Sequence, residues 1–367
     1  MDIEKRVIVE IIAIILAIKF FSFILAPLSW AVLKNQPCDI ISLWNRWDAP
    51  HFVDIAKNGY TDVGEGRYFI VFLPLYPFLI RLLASFIGNY EVSALLISNI
   101  ASLFAGLYLY KLVKIDYSHS TALKSVFYLS IFPTSYFLIA GYTESLFLFL
   151  TIGCFFYVRK GNWLPAGVMG MLASATRITG LVLIPSLVYE FLSQKSKSKS
   201  RNVMDVFFLS MVVFGFIAYL VLNYLVYGNA FAFLEIQREH WSKHLAPPWE
   251  GLLGALWGIF WRDPVEKAFV GVAEVVFGLF GLFCIVYAFI IKLRPSYTIY
   301  MLLTWLAVAS TSYWLSMPRY LLSMFPIFIL FAVIADKREE WHYVMTTAFL
   351  LFFSFFLLLF TQGYWAF

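Results

Sequence analysis

Charge is scarce in this sequence. Asp, Glu, Lys and Arg together make up 13% of its 367 residues, against about 25% in a soluble globular domain. So little charge cannot cover a surface that faces water. Cysteine is scarcer still, with Cys38, Cys154 and Cys284 the complete set. The last two sit inside long apolar runs, which excludes a disulfide framework. Proline and glycine, at 14 and 20 residues, are too few for a collagen-like or low-complexity chain. What fills the space is apolar: 62% of residues are hydrophobic and 20% aromatic. That content excludes disorder and leaves an all-α polytopic membrane protein.

The net charge of +5 then reads as a topology signal rather than a nucleic-acid footprint. The first apolar run, from about Val7 to Val32, is too long for a signal-peptide core. With Lys5 and Arg6 before it, it reads as a first span with a cytoplasmic N-terminus. A span needs about 20 apolar residues. On that measure about eleven candidates follow, at roughly 7–33, 92–113, 120–140, 142–158, 162–176, 178–192, 203–227, 266–291, 297–316, 319–335 and 342–363. The stretch 162–192 suits two short spans or one re-entrant hairpin. The run 69–87, interrupted by Pro74 and Pro77, is expected at the membrane interface. The expected whole is one integral membrane domain over 1–367, with interfacial helices in its outer loops.

Alternation from an inside N-terminus leaves short basic cytoplasmic loops, including Arg159-Lys160 and the Lys195–Arg201 run, which reads as a solvated linker. Two long loops, 34–91 and 228–265, face the extracytoplasmic side. No cytoplasmic segment is large enough for a soluble domain, so chemistry is expected on the outer face or within the membrane.

The densest polar cluster is Trp44-Asn-Arg-Trp47-Asp48-Ala-Pro-His51-Phe52-Val-Asp54 in the first loop. Residues 49–58 read as a short helix, with Pro50 in its first turn and Asn58-Gly59 as its stop. Asp48 then stands at the N-cap. Two roles fit it: a capping carboxylate, or a general base taking the proton from a sugar hydroxyl as that hydroxyl attacks an anomeric carbon. His51 would orient Asp48 or contact the sugar. Further along come Glu65-Gly-Arg67-Tyr68 and Leu73-Pro-Leu-Tyr76-Pro77. There Tyr68 and Tyr76 suit an interfacial aromatic belt or a substrate contact.

Glu144, in Gly141-Tyr142-Thr143-Glu144-Ser145, opens an otherwise apolar run, with Thr143 placed to cap it. Arg177 lies between two apolar half-runs. Charges so placed face protein, a cavity or an anionic ligand. An ion pair with Glu144 and a lipid-linked phosphate are the two readings. In the second loop, Gln237-Arg238-Glu239-His240-Trp241 continues to His244 and to Pro247-Pro248. This reads as an amphipathic helix ended by the prolines, with His240 and His244 on one face. The HExxH arrangement is missing and no metal site or other cofactor is expected. Phosphate or sugar contact by Arg238, His240 and Trp241 fits better. Arg319, in Pro318-Arg319-Tyr320, is either an interface anchor or a second phosphate contact.

In order along the chain, Trp47-Asp48-Ala-Pro-His51-Phe52, Leu73-Pro-Leu-Tyr76-Pro77, Pro133-Thr-Ser135, Tyr142-Thr-Glu144-Ser, Thr176-Arg177-x-x-Gly180, Gln237-x-x-x-Trp241 and Pro318-Arg319-Tyr320 resemble the PIG-V mannosyltransferases. These comprise the second mannosyltransferase of GPI-anchor synthesis and its prokaryotic relatives. The resemblance covers about residues 44 to 326. Phe72-Leu73-Pro74 stands where the family often has Phe-Phe-Pro. The resemblance implies a GT-C-like bundle and an inverting glycosyltransferase. The donor would be a polyprenyl-phosphate sugar such as dolichyl-phosphate mannose, and the acceptor a lipid-linked or glycolipid molecule. It implies Asp48 as the catalytic carboxylate. Trp47, Glu65, Arg67, Tyr76, Tyr142, Glu144, Arg177, Arg238, His240, Trp241, Arg319 and Tyr320 are the candidate substrate contacts. The expected location is the extracytoplasmic face of a prokaryotic plasma membrane, or of the endoplasmic reticulum in a eukaryote. The alternative is a lipid-linked sugar flippase or transporter.

Overall fold

The computed structural model describes residues 3–194, 203–263 and 267–367. The basic run Lys195–Arg201 lies outside the described residues. All regular structure among the described residues is helical, apart from one isolated bridge between Leu245 and Thr311. In chain order the α-helices are α1 (Ile3–Lys34), α2 (Ile40–Trp44), α3 (Ala49–Asn58), α4 (Leu75–Ile87), α5 (Tyr90–Val113) and α6 (His119–Ile131). There follow α7 (Glu144–Arg159), α8 (Trp163–Thr176), α9 (Leu183–Gln194), α10 (Val203–Tyr227), α11 (Ala232–Glu239) and α12 (Pro248–Trp261). The last are α13 (Ala273–Ile290), α14 (Pro295–Ala309), α15 (Met317–Ser323), α16 (Pro326–Lys337) and α17 (Glu339–Thr361).

Among the described residues five helices are long and apolar enough to cross a membrane, at 5–34, 90–113, 203–227, 268–290 and 339–361. The count rises to seven if two bent pairs each make one span. The eleven stretches expected from hydropathy differ from this count because breaks shorten several of them. Stretch 120–140 stops as a helix at Ile131, two residues before Pro133, because the residue before a proline is pushed out of the helical region. Stretch 162–192 divides at Arg177, as its two apolar half-runs lead one to expect, because the backbone there is extended (φ −149°, ψ 142°). Stretch 319–335 bends by 80° at Pro326. The 69–87 run, expected at the interface, is a bent pair with 116° between Glu65–Val71 and α4.

The break after α6 dictates much of the interior. Residues 132–143 are buried throughout and mostly non-helical, so their carbonyls need partners from side chains, since lipid supplies none. Neighbouring helices provide them. Lys19 Nζ of α1 reaches Leu138 O at 3.4 Å and also donates to Asn99 Oδ1 and Ser102 Oγ, each at 2.6 Å. Asn99 Nδ2 donates to Ile139 O at 3.0 Å, Ser98 Oγ to Tyr142 O at 3.0 Å, and Ser145 Oγ to Leu138 O at 3.1 Å. Thr134 Oγ1 ties the same segment to Pro318 O at 2.9 Å. Lys19 thus finds three neutral acceptors for its Nζ, which explains how a lysine persists inside an apolar helix.

Small residues bring helices close. A Cβ on Gly215 would stand 2.0 Å from Met171 O, so α8 and α10 meet backbone to backbone, as small-residue contacts allow in membranes. At the far end of α7, Arg159 grips Asp116 through two bonds of 2.6 and 2.7 Å. The opposite end of α7, where Glu144 sits, holds the polar cluster described next.

Candidate active site

The chain enters this cluster through the turn between α2 and α3. Trp47 adopts a left-handed backbone (φ 57°), uncommon for a bulky residue. The turn is clamped by Tyr142, whose hydroxyl donates to Arg46 O at 2.7 Å and accepts from Asp48 N at 3.2 Å. The helix over 49–58 forms as expected, and Gly59 (φ 85°) ends it, its N–H donating to Ile55 O at 2.8 Å. The capping role for Asp48 is not what the structure shows. Its carboxylate makes no bond to the first turn of α3 and points instead to Arg319, with Asp48 Oδ2 2.6 Å from Arg319 Nη1.

Arg319 is presented by the first turn of α15. The two backbone N–H groups that open this helix, Ser316 and Met317, each donate to the buried Glu274 carboxylate at 2.6 Å. Ser316 is left-handed (φ 69°) to make the turn. Arg319 is only 9% exposed, which overturns the expectation of an interface anchor. Its Nε donates to Glu144 Oε1, and Arg177 Nη1 donates to the same oxygen at 2.8 Å. Glu144 is completely buried. A buried carboxylate is tolerated when charge-assisted bonds compensate its lost hydration. The sequence thus forms an unbroken chain, Asp48–Arg319–Glu144–Arg177. Thr143, expected to cap α7, makes no capping bond.

Rings wall this chain. The Arg319 guanidinium lies 4.6 Å from the Tyr142 ring and 5.0 Å from Phe137. Arg177 lies 5.3 Å from the Tyr320 ring, and Lys243 approaches the same ring to 5.8 Å. Two guanidinium groups and an ammonium therefore converge around Tyr320, against the carboxylates of Asp48 and Glu144. Cation groups focused in a walled site favour an anion.

The 34–91 and 228–265 loops meet at a second set of rings. His51 lies 4.4 Å from Phe69 and 6.4 Å from Trp241, ring centre to ring centre. Burial lowers the His51 pKa below the ordinary 6.5; the nearby Asp48 and Asp54 oppose the shift and His240 adds to it. His240 stacks on Tyr68 at 3.6 Å. α11 ends at Glu239, ahead of the prolines expected to end it, and Pro248 instead starts α12. His240 and His244 are therefore not one helical face; His244 N pairs with Ser312 Oγ at 3.3 Å. Among the described residues no three His, Cys, Asp or Glu side chains come together as a metal site would need.

Of the expected contacts, Asp48, Tyr142, Glu144, Arg177, Arg319 and Tyr320 converge, with His51 and Trp241 beside them. Tyr76 is buried rather than interfacial, its hydroxyl bonded to Ala94 O at 3.0 Å and Ser98 Oγ at 2.8 Å. It supports Tyr142 through Ser98 rather than joining the charged cluster. Glu65, Arg67 and Arg238 are exposed and none joins the Asp48–Arg177 chain; Arg67 lies over the neighbouring Tyr68 ring at 4.6 Å, at the edge of the second set of rings. Lys243 escaped the sequence reading, although its place two residues after Trp241 in a loop of expected contacts was a usable signal. Glu274 escaped it as well, inside an apolar run with no motif around it.

The family model described as dolichyl-phosphate-mannose-protein mannosyltransferase matches residues 73–224. The chain is 30% identical over 156 residues to GPI alpha-1,6-mannosyltransferase 2 of Mus musculus, covering 40% of this chain and 31% of that protein. It is 32% identical over 149 residues to GPI mannosyltransferase 2 of Schizosaccharomyces pombe, covering 38% and 30%. The aligned region thus spans under a third of the length of these relatives. Among solved structures, the apo oligosaccharyltransferase of Archaeoglobus fulgidus superposes with a TM-score of 0.48 at 12% identity, over 96% of this chain and 56% of that one. The same protein with an inhibitory peptide and a dolichol-phosphate gives 0.45 at 12% identity, with coverage of 96% and 56%. Both sequence likenesses, one running from residue 73 to 224 and the other over about 150 residues, are to mannosyltransferases.

Proposed function

We propose that the protein is an inverting membrane mannosyltransferase that moves mannose from a polyprenyl-phosphate donor to a lipid-linked acceptor at the extracytoplasmic face. The observation that carries this reading is the Asp48–Arg319–Glu144–Arg177 chain, which couples one partly accessible carboxylate to a fixed set of cations. In the free protein Arg319 neutralises Asp48. An incoming donor phosphate competes for Arg319 and, with Arg177 and Lys243, gives the cations a new anion. Asp48 is then released to act as base.

The reaction follows from that arrangement. An acceptor hydroxyl attacks the anomeric carbon from the face opposite the phosphate. The new C–O bond forms as the bond to the phosphate oxygen breaks with its electron pair, and the hydroxyl proton passes to Asp48. The leaving phosphate is stabilised by the cations and needs no separate acid. Base assistance is worth about 10²–10⁴-fold, and positioned cations at the developing negative charge contribute comparably.

The test is transfer of radiolabelled mannose from a polyprenyl-phosphate mannose to membrane lipid by the purified full chain. Asp48→Asn should lower transfer by about 10²-fold or more with the melting temperature retained. Near-normal transfer by this variant would sink the assignment. Movement of donor across vesicles without transfer would favour a flippase.

A further inference from the structure

A second cluster adjoins Asp48 on the other side of the same turn. It forms where the end of α1, the 45–48 turn and the chain after α17 meet. The Arg46 guanidinium lies 5.6 Å from the Trp30 ring. Trp47 meets Trp365 edge to face at 5.1 Å. Gln362 Nε2 donates to Ser29 Oγ at 3.2 Å. A side chain at Gly363 would come within 3.9 Å of Arg46 Nη1, so the three segments share one locus.

This locus is unusual for what it leaves unpaired. Trp30 Nε1, Arg46 Nε, Gln362 Oε1 and Trp365 Nε1 are each buried and each without a hydrogen-bond partner. Gln362 is only 9% exposed. Each unpaired buried polar atom carries an uncompensated loss of hydration, and four at one junction call for a ligand that supplies the missing bonds. Among the described residues Arg46 has no carboxylate partner, so it does not close an internal ion pair.

The chemistry points to a carbohydrate. Three N–H donors and one amide acceptor, set among indole rings, match hydroxyl groups and the C–H face of a sugar ring. The Arg177–Lys243–Arg319 side, by contrast, carries three cations and suits a phosphate. The lipid character of the ligand follows from α1, whose Leu28, Val32 and Leu33 flank Trp30 and are exposed. A head group at Trp30 would have its chain along that apolar surface.

We propose that Trp30, Arg46, Gln362 and Trp365 form the head-group subsite for a lipid-linked carbohydrate acceptor, separate from the cation site across Asp48. The proposal rests on the transferase reading and identifies its acceptor side. Arg46 and Asp48 flank Trp47 in one turn, so a sugar held at Arg46 lies beside the base. Tyr142 links the two, since its hydroxyl bonds both Arg46 O and Asp48 N.

The test reads binding, so its outcome does not depend on transfer being seen. The full chain, carrying 5-fluorotryptophan, is placed in nanodiscs and titrated with octyl mannoside, methyl mannoside, octanol and a polyprenyl phosphate. Trp30→Phe and Trp365→Phe assign the two fluorine resonances. Octyl mannoside should shift both, while Arg46→Gln and Gln362→Ala weaken its binding about tenfold and leave polyprenyl phosphate affinity within about twofold. Arg46→Lys, which keeps the charge but loses Nε, serves if Arg46→Gln fails to fold and should weaken the mannoside in the same sense. Unmoved resonances, an equal shift with octanol, or parallel loss of both ligands in stably folded variants would overturn the subsite. Methyl mannoside binding as tightly as the octyl glycoside would overturn the lipid-linked reading.

Discussion

Arg319 holds Asp48 through Nη1 at 2.6 Å while its Nε is bonded to the buried Glu144. One planar guanidinium therefore sets the distance between a carboxylate at the edge of the site and a carboxylate inside it. The two residues are 271 positions apart. Their link ties the turn between α2 and α3 to α15, and anything that draws Arg319 toward a ligand changes the charge felt by Asp48.

Glu144→Gln should be strongly destabilising. It leaves Arg177 and Arg319 buried without their shared anion, and breaking a buried ion pair costs about 3–5 kcal/mol. Thermal unfolding in detergent checks this. A melting temperature equal to that of the parent would show that the two arginines find other partners.

Arg319→Lys keeps the charge and loses the fork. A single ammonium cannot reproduce the in-plane contacts to Asp48 and Glu144. Transfer should fall by about 10²–10³-fold in kcat, the usual loss for a fixed electrostatic contact. Retention of full kcat would argue against a bridging role.

Tyr142→Phe removes one hydroxyl that joins Arg46 O and Asp48 N. The expected loss is about 1–3 kcal/mol of stability. Transfer should drop more than donor affinity, because the donor's cations stay in place. An unchanged ratio of kcat to donor KM would refute the clamp.

Stability should also depend on His51 at mildly acidic pH. Burial lowers its pKa in the folded chain below the ordinary 6.5. Above 6.5 the ring is neutral in both states and contributes no pH dependence. As pH falls from 6.5 toward the folded value, the unfolded chain takes up the proton first, and stability is lost. Chemical unfolding between pH 7 and about 5 checks this, with His51→Phe expected to flatten that limb. An unchanged slope in the variant would assign the titration elsewhere.

The membrane class, the apolar helices and the short helix after Asp48 were all legible in the sequence, because each rests on local composition and spacing. The 49–58 helix with its Gly59 stop formed as its residues required. The Glu144–Arg177 pair was also foreseeable, since two charges in apolar surroundings seek each other. Less legible were the ends of helices. Hydropathy runs through Pro133 and Pro326 without pause, whereas the backbone breaks near each, so continuous apolar stretches became shorter helices; the break at Arg177 was legible, because a charge there parts two apolar half-runs. The Asp48 cap failed for a related reason. Local sequence offers the carboxylate an N-terminus, and a cation from far along the chain outbid it.

The sequence by itself determined that this chain belongs in a membrane, and which few charged residues stand where insertion is costly. Scarcity did that, because with 13% charge each buried ion must be accounted for. Only the tertiary structure decided which of them meet. It joined Asp48 to Arg319, added Lys243 to the cations, turned Tyr76 and Glu274 inward as supports, and left Glu65, Arg67 and Arg238 outside the charged chain. The physical reason is that ion pairing and ring packing act over ångströms in space, and their partners are set by how helices cross rather than by spacing along the chain.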